Sequence, residues 1–422
     1  MYKVLSLTML ASLTRLIFGL VFNKIIAATL GPSGLILLSN FQNTLQISSR
    51  ISNFGVETGI ASGISDKSLS TDSIVSNSYL ILIIFSLINL AIVYIFGDHI
   101  VARIFDGIKG VRDLDKNNVL LIIALFGPLV GFSANLISIV NGLEKAGVYA
   151  KCTILSSIFS LSFLGIFYFN GGYTLTVLLW AISQSIFVLF FILLIGNYRS
   201  IAFKIHWPLI TPKALKALFT YSRMTVVSVI TTALAAMVFR FYIVDTLTIG
   251  DAGSWQAIVK LTETINGVFF IGITFYLIPK YSNITSWNEF TSATKNILLL
   301  VSLCYGGGIL VLYFLSDFII SLLFTKDFIL PFKYVFIQFI GGYLQIIAWM
   351  LGLILVVKKM TRYHMISQVT SVISIILVGY IMVNNYMLSG AVLSFVITSL
   401  ILLFLNVIYA RRWFSKNETC EY

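Results

Sequence analysis

Charged residues are scarce in this chain. Asp, Glu, Lys and Arg together make up 10% of its 422 residues, whereas hydrophobic residues make up 58%. Soluble globular domains carry about a quarter charged residues, so this composition excludes an ordinary soluble fold. The composition predicts an all-α polytopic membrane protein, whose helices meet lipid on their outer faces.

Cysteine and histidine are scarce as well, with three of each. Cys152, Cys304 and Cys420 lie far apart and form no C-x-x-C pair, which favours neither a disulfide nor a metal site. The sequence also shows no paired carboxylates and no nucleophile–base motif. The longest loops, near residues 97–117, 197–215, 280–295 and 317–333, leave no room for a soluble catalytic domain. We therefore expect no enzyme activity, no metal and no cofactor.

Apolar stretches long enough to cross a bilayer recur along the whole chain. The first contains Arg15 and Lys24 and is too long for the apolar core of a cleavable signal peptide, so we expect it to be a retained span. We predict twelve spans, near residues 4–30, 35–63, 77–97, 118–142, 147–169, 173–196, 216–244, 254–279, 296–316, 334–357, 363–383 and 389–410.

Basic residues are unevenly distributed between the two sides of these spans. With the N-terminus inside, seventeen of the 28 Lys and Arg fall in cytoplasmic segments, six in outer loops and five within spans. The positive-inside rule therefore predicts that the N- and C-termini are cytoplasmic. Because the basic residues are spread over many short loops, the net charge of +12 does not indicate a nucleic-acid partner.

The chain reads as two similar halves. The polar stretch 206–216 separates them, which predicts an N-terminal lobe of six spans (1–205) and a C-terminal lobe of six spans (206–422). With six spans each, both halves share one orientation, as in several transporter classes. A single offset of 219 residues aligns Gly31-x-x-Gly34 with Gly250-x-x-Gly253, Asp98 with Asp317, Phe105 with Phe324, and Gly171 with Gly390.

Seven charged residues lie within the predicted spans, where each costs about 2.5–3.5 kcal/mol even on the lower insertion scales. All seven lie on the first two spans of each half, where the repeat would place two matching walls of one cavity. Five bases against two acids favour an anionic ligand, and arginine suits phosphate. The alternative is structural pairing, or snorkelling to the membrane surface. The residues are Arg15, Lys24, Arg50, Arg240, Lys260, Glu57 and Glu263.

Two roles are open for Glu57 and Glu263. Either acid would couple transport to a proton, or each would be a fixed charge partner, Glu57 of Arg50 and Glu263 of Lys260.

Polar side chains also follow one face of the second span, which we expect to be a single helix. The spacing of three or four residues places them on a single face, which cannot lie against lipid. The amides among them suit a hydroxyl-rich glycan. The second span carries Asn40, Asn43, Gln46, Arg50, Asn53 and Glu57, and the eighth carries Gln256, Lys260, Glu263 and Asn266.

Helix-breaking residues lie inside three predicted spans. They are Pro128, the triplet Gly306–Gly308, and the pair Gly341 and Gly342. Two readings remain open: interruptions that allow the helices to bend, or small residues that allow close helix packing.

Two stretches resemble the Wzx-type flippases for lipid-linked oligosaccharides, which belong to the MOP superfamily together with MATE exporters and lipid II flippases. These stretches are NKIIAATLGPSGLILLSNFQ at residues 23–42, and GDAGSWQAIVKLTETI with the later GITFYLIPKYS within residues 250–282. The twelve-span layout resembles that superfamily over the whole chain.

The resemblance implies a function in O-antigen and lipopolysaccharide biosynthesis. The implied activity is alternating-access transport of an undecaprenyl-pyrophosphate-linked oligosaccharide, an O-antigen unit or a lipid III-like intermediate. Transport would run from the cytoplasmic to the periplasmic leaflet of the bacterial inner membrane. The bases would hold the pyrophosphate and the amides the glycan. Implied partners are membrane lipids, a polysaccharide polymerase and a chain-length regulator; the coupling ion, H⁺ or Na⁺, stays open.

Two other functions compete with this one. A MATE-like antiporter for small cations would share the fold, but its cavity should contain more acids than bases. A membrane oligosaccharide polymerase or ligase commonly needs a large outer loop, and the longest outer loop expected here has about twenty residues.

Overall fold

The computed structural model describes residues 2–66, 70–104, 116–170, 183, 185–194, 207–358 and 360–418. Within these ranges every regular element is a helix, because backbone groups in lipid must find their hydrogen-bond partners inside the same segment. Two are short 3₁₀ helices, Trp207–Leu209 and Lys326–Phe328. The α-helices are α1 (Tyr2–Asn53), α2 (Glu57–Asp66), α3 (Thr71–Ile104), α4 (Lys116–Gly142), α5 (Ala146–Asn170), α6 (Phe187–Leu194), α7 (Pro212–Thr246), α8 (Ile249–Ser282), α9 (Trp287–Leu323), α10 (Phe332–Val357) and α11 (Thr361–Glu418).

Eight of the described helices are long and apolar enough to cross a membrane. The chain is therefore a multi-pass membrane protein, and the predicted all-α class is confirmed. The eight segments are Leu10–Asn53, Thr71–Ile104, Asn117–Gly142, Thr225–Thr246, Ile249–Ile278, Trp287–Leu323, Phe332–Val357 and Thr361–Ser415.

Two of the helices contain one non-helical residue each. Helix α1 has 52 residues, which at about 1.5 Å per residue exceeds twice the thickness of a bilayer core. Its break is at Gly31, whose φ of 64° is strained for any side chain, and Pro32 follows as a helix-starting residue. Helix α11, with 58 residues, breaks at Met387 (φ 51°). Both breaks fall where the sequence predicts that one span ends and the next begins.

The predicted second span is not one continuous helix, so that expectation was wrong. Helix α1 ends at Asn53 and α2 begins at Glu57. Phe54 (φ 48°) and Gly55 (φ 59°) turn the chain between them. A Cβ on Gly55 would lie 2.8 Å from Cγ2 of Val226, so the positive φ and the close approach of α7 together require glycine.

The described helices form two compact units. One contains Met1–Leu30 and Leu37–Leu234, and the other contains Gly31–Ile36 and Ala235–Tyr422. The division into lobes at residues 205 and 206 stays a prediction. Of the residues that suggested the repeat, Phe105 and Gly171 lie outside the described residues.

The first unit has an aliphatic and aromatic core where α2, α3, α4 and α6 meet. Val56 and Ile60 at the start of α2 are fully buried there, together with Leu136 of α4 and Phe191 of α6. Phe54 extends this core from the helix break, with its ring centroid 4.3 Å from that of Phe85 and 5.1 Å from that of Phe219. The break between α1 and α2 is therefore held by packing on two other helices.

The second unit is organised around α10, which packs against α8 and α11 through glycine. A Cβ on Gly341 would lie 2.5 Å from Cδ1 of Phe395 in α11, and a Cβ on Gly342 would lie 2.5 Å from Cγ2 of Thr262 in α8. Helix α10 runs unbroken through both residues. Close packing, rather than interruption, is the role of this pair.

The other two predicted interruptions are likewise continuous helix. Helix α4 runs through Pro128, and α9 runs through Gly306–Gly308. Gly131, next to Pro128 in the same helix, lets α4 approach α1, because its Cβ would lie 3.1 Å from the backbone oxygen of Ser49. A Cβ on any residue of the glycine triplet would meet no described atom within 4 Å.

Gly253 generates the first testable prediction. A Cβ there would lie 2.5 Å from Cα and 2.7 Å from the oxygen of Pro32, so α8 can reach this segment only through glycine. Gly253→Ala should destabilise the protein by about 1–3 kcal/mol, because the clash involves backbone that cannot move aside. The measurement is the thermal unfolding midpoint in detergent.

Gly250→Ala is the matched control for this prediction. Its Cβ would lie 3.8 Å from its nearest neighbour, Oγ1 of Thr248, at the start of the same helix. We expect its midpoint to equal that of the wild type. Equal midpoints for both variants would contradict the packing of Gly253 on Pro32.

Candidate functional site

The residues at the Arg50–Glu57 end of the predicted polar stripe form a connected cluster across the break between α1 and α2. The Nη1 of Arg50 forms an ion pair with Oε2 of Glu57. Asn53 donates from Nδ2 to Oε1 of Glu57 at 2.8 Å, and its Oδ1 accepts from the backbone N–H of Gly55 at 2.9 Å. Both polar atoms of the Asn53 amide are therefore used inside the protein, where this side chain caps the broken helix.

The residues of the stripe that precede Arg50 differ in their exposure, although their spacing predicts one shared face. Asn40 is buried, Asn43 is half-buried and Gln46 is exposed. The Nδ2 of Asn43 has no hydrogen-bond partner among the described residues. Gln46 therefore offers an exposed amide for contacts with another molecule, whereas the Nδ2 of Asn43 is buried away from solvent.

Arg15 lies in a different environment, a small cavity of the first unit. Its volume is about 50 Å³, room for a few water molecules and too little for a sugar. Hydroxyl groups dominate the lining. The cavity is bordered by Arg15, Phe18, Ile137, Thr153, Ser156, Ser157, Ser160, Ser183 and Phe187.

Lys24 does not border this cavity. It is half-buried and lies nine residues after Arg15, with helical backbone through Gly19 between them. Nine residues at 3.6 per turn place the two side chains on opposite faces. The described structure therefore does not bring Arg15 and Lys24 together.

Both predicted bases of the second unit have a polar partner within the same unit. Arg240 is buried, with 4% of its surface exposed, and donates from Nε to Oε1 of the fully buried Gln256 at 2.8 Å. Lys260 forms an ion pair of 3.3 Å with Glu263, one helical turn further along α8. The Arg240–Gln256 bond joins α7 to α8, which gives both side chains a structural role.

Asn266 is the centre of a largely buried network that joins three helices. Its Nδ2 donates to the backbone oxygen of Gly342 at 3.2 Å and to Oε1 of Gln345 at 3.0 Å. Its Oδ1 accepts from the hydroxyl of Tyr305 at 3.0 Å. The amide therefore connects α8, its own helix, to α9 and α10. It makes three of the four hydrogen bonds that an asparagine side chain can make.

The structure also shows polar residues that sequence reasoning missed. The hydroxyl row Thr153, Ser156, Ser157 and Ser160 follows the i, i+3, i+4, i+7 pattern, a signal that the sequence does contain. Asn89 accepts from Ser48 at 3.0 Å. Asn135 is fully buried, and neither polar atom of its amide has a partner among the described residues. A lone asparagine in an apolar span has no spacing that would reveal it.

These groups can hold a ligand by charge and hydrogen bonding. Among the described residues no group of three or more His, Cys, Asp or Glu could hold a metal ion. The assignment of eleven of these side chains to substrate binding, and of Glu57 and Glu263 to proton coupling or charge pairing, stays a prediction. Multi-pass helical proteins with ionisable residues inside their spans are typically transporters, channels or pumps.

The family described as polysaccharide biosynthesis protein matches residues 2–285, about two thirds of the chain, and the chain belongs to this family. Among curated proteins, the lipid III flippase of Escherichia coli (strain K12) is 20% identical over 397 residues, which are 93% of this chain and 94% of that protein. The lipid III flippase of Shigella flexneri gives the same values. The resemblance that the two motif stretches predicted is confirmed.

Solved structures with the same fold come from the MOP superfamily. An inward-facing multidrug resistance MATE transporter superposes with a TM-score of 0.73 at 14% identity, over 97% of this chain and 96% of that one. The lipid II flippase MurJ in an inward closed conformation gives 0.66 at 18%, over 95% and 86%. A MOP transporter from Pyrococcus furiosus, whose binding pocket is described as having reversed polarity, gives 0.67 at 13%, over 99% and 96%. At these identities the likeness shows the fold.

The cluster across the helix break generates a second prediction. Arg50→Gln or Glu57→Gln alone should destabilise the protein, because each leaves a largely buried charge without its counter-ion. The double variant Arg50→Gln/Glu57→Gln should lose less than the sum of the two, with an interaction energy of about 1–3 kcal/mol. Chemical unfolding in detergent measures all four forms. If the stability lost in the double variant equals the sum of the two single losses, the Arg50–Glu57 ion pair is contradicted.

The Asn266 network generates a third prediction. Asn266→Leu should cost about 1–3 kcal/mol of stability, because it leaves the Tyr305 hydroxyl and the Gln345 amide buried without a partner. Asn385→Leu is the control, since Asn385 is exposed and donates only to the backbone oxygen of Ile381 in its own helix. Thermal midpoints of the two variants should differ by several degrees. A difference of zero would refute the network.

Proposed function

We propose that this protein is a flippase for an undecaprenyl-pyrophosphate-linked oligosaccharide. It is a transporter rather than an enzyme, and moves an O-antigen unit or a lipid III-like intermediate from the cytoplasmic to the periplasmic leaflet of the bacterial inner membrane by alternating access. The observation that carries the proposal is the set of seven charged side chains within the predicted spans, five of them basic. Family membership and the lipid III flippase relatives support it.

The charge balance favours an anionic substrate even after the internal pairs are counted. Glu57 pairs with Arg50 and Glu263 pairs with Lys260. Among the seven charged residues of the predicted spans, five bases minus two acids leave a net charge of +3. A pyrophosphate supplies the opposite charge. Arg15 and Lys24, which lie on opposite faces of α1, are two separate candidate contacts for it.

The glycan would use neutral groups. Gln46 is exposed, so its amide is available as a donor to sugar hydroxyls. The Nδ2 of Asn43 has no described partner but is buried, so it would meet the glycan only in another state of the transport cycle. Asn53, Gln256 and Asn266 already use their amides inside one unit, which favours a supporting role for them.

The length and breaks of the helices support the twelve-span topology within this proposal. Eight helices reach spanning length, and the breaks in α1 and α11 allow two crossings in each, which gives ten. Helix α5, with 25 residues, has the length for one more. The remaining predicted span, 173–196, falls mostly outside the described residues. Cytoplasmic termini and lobes of 1–205 and 206–422 belong to the same proposal.

A MATE-like antiporter is the second candidate, because the inward-facing MATE structure superposes with a TM-score of 0.73. The charges argue against it. A cation carrier needs acids to outnumber bases in its path, and here the bases outnumber the acids. A polymerase or ligase has no support among the relatives.

Reconstitution into liposomes tests the proposal directly and is the fourth prediction. The protein should move a fluorescent undecaprenyl-pyrophosphate-linked oligosaccharide between leaflets and should not move an organic cation. Arg15→Gln should slow the movement about tenfold or more, because loss of one charge-assisted contact is worth about 1.5–3 kcal/mol. Imposed H⁺ or Na⁺ gradients in the same vesicles identify the coupling ion.

Lys326→Gln is the matched control, since it removes one exposed positive charge outside the spans. Its rate should equal that of the wild type. Transport of the cation but not of the lipid would overturn the proposal in favour of the antiporter. Full rates in Arg15→Gln and Lys24→Gln would remove these two bases from the site. Co-purification with a polysaccharide polymerase or a chain-length regulator tests the proposed partners.

A further inference from the structure

The two ends of α11 border a cavity of about 530 Å³, which lies within the range of about 300–1,000 Å³ typical of ligand pockets. The beginning of the helix contributes Tyr363. Its end contributes Ile408, Arg411, Arg412 and Ser415. These four follow the i, i+3, i+4, i+7 pattern, so they share one helical face.

The opposite face of this helix end is packed into the second unit. Phe414 is fully buried, with its ring centroid 5.5 Å from that of Phe290 and 6.0 Å from that of Trp287. Trp413 beside it lies under the ammonium of Lys358, at 5.3 Å from Nζ to the ring centroid. This packing fixes the rotation of the helix and therefore keeps the two arginines on the cavity side.

Both arginines of the cavity are exposed, and neither has an ion-pair or hydrogen-bond partner among the described residues. The lining contains no acidic side chain. Two adjacent guanidinium groups repel each other unless an anion lies between them. Phosphate, with several acceptor oxygens, matches their planar donors.

The position of the cavity along the helix indicates the source of the phosphate. Arg411, Arg412 and Ser415 directly follow the last predicted span, 389–410. Tyr409 and Trp413, with Tyr363 at 4.9 Å from the Tyr409 ring, are the aromatic residues typical of the lipid headgroup level. Ile408 adds an apolar side to the cavity, where an acyl chain would begin.

We propose that this cavity binds the phosphate of a membrane lipid with a net negative headgroup. The volume exceeds what a free phosphate fills, and basic pockets at the cytoplasmic ends of spanning helices suit such headgroups. The proposal does not rest on the transport function, because it involves a different part of the second unit and needs only membrane insertion.

Native mass spectrometry of the full-length protein in detergent tests this site. Phosphatidylglycerol, which is anionic, should bind more tightly than phosphatidylcholine, which is zwitterionic. Arg411→Gln/Arg412→Gln should weaken phosphatidylglycerol binding about tenfold or more and remove the preference. Ser415→Trp should have a similar effect, because it fills the cavity while keeping both arginines.

Arg362→Gln is the matched control, since Arg362 is exposed near the start of the same helix but does not border the cavity. It should change the affinity less than twofold. If Arg362→Gln and the double variant lose the same affinity for phosphatidylglycerol, the lipid responds only to general surface charge. That result would overturn the proposal. Wild-type affinity in the double variant would also overturn it.

Inorganic phosphate identifies the source of the ligand. If free phosphate displaces phosphatidylglycerol only in large excess, the lipid headgroup is supported. If free phosphate binds with the same dependence on Arg411 and Arg412 while phosphatidylglycerol does not bind, the lipid assignment is overturned. Should the double variant fail to fold, as judged by circular dichroism, Ser415→Trp decides the result.

Discussion

Hydrogen bonding of the backbone in lipid is the constraint on which the rest of this structure depends. Each helix satisfies its own N–H and C=O groups, so every interruption needs a replacement. At the break between α1 and α2 the replacement is Asn53, whose side-chain oxygen accepts from the N–H of Gly55. The same amide donates to Glu57, which in turn pairs with Arg50. One unavoidable break thus determines the placement of three polar side chains.

In the second unit, polar side chains likewise satisfy one another's hydrogen bonds, although the helices there are not interrupted at these positions. Arg240 and Gln256 satisfy each other across two helices, and Asn266 connects Tyr305, Gln345 and a backbone oxygen of α10. Such polar links hold the helices in fixed relation, because an unpaired polar group inside would be costly. Glycines let the helices come close enough for these bonds to form. Polar side chains and glycines therefore act together to stabilise the packing of these spans.

Much of the fold was predictable because its causes are local. Long apolar runs gave the spanning helices, and Gly31 followed by Pro32 gave the turn inside α1. The break at Phe54–Val56 was not predictable, because it depends on packing against Phe85, Phe219 and Val226, which are distant in the chain. Helical spacing alone could not show that the stripe crosses such a break.

The candidate site was predictable in its residue types and less so in its pairings. Spacing correctly paired Lys260 with Glu263, because those residues are neighbours on one helix. It could not show that Arg240 bonds to Gln256, sixteen residues away on another helix. The hydroxyl row beside Arg15 was visible in the sequence only as an ordinary run of serines, and its meaning comes from the cavity that it borders.

The short segment Gly31–Ile36 has a consequence for how the chain can be divided. It belongs to the second unit, although the residues on both sides of it belong to the first. A single cut between Leu234 and Ala235 would therefore give a second fragment that lacks part of its own structure. Gly253 in that fragment would face an empty place where Pro32 should be. The two units are interleaved in sequence, so this protein cannot be reduced to two independently folding halves by one cleavage.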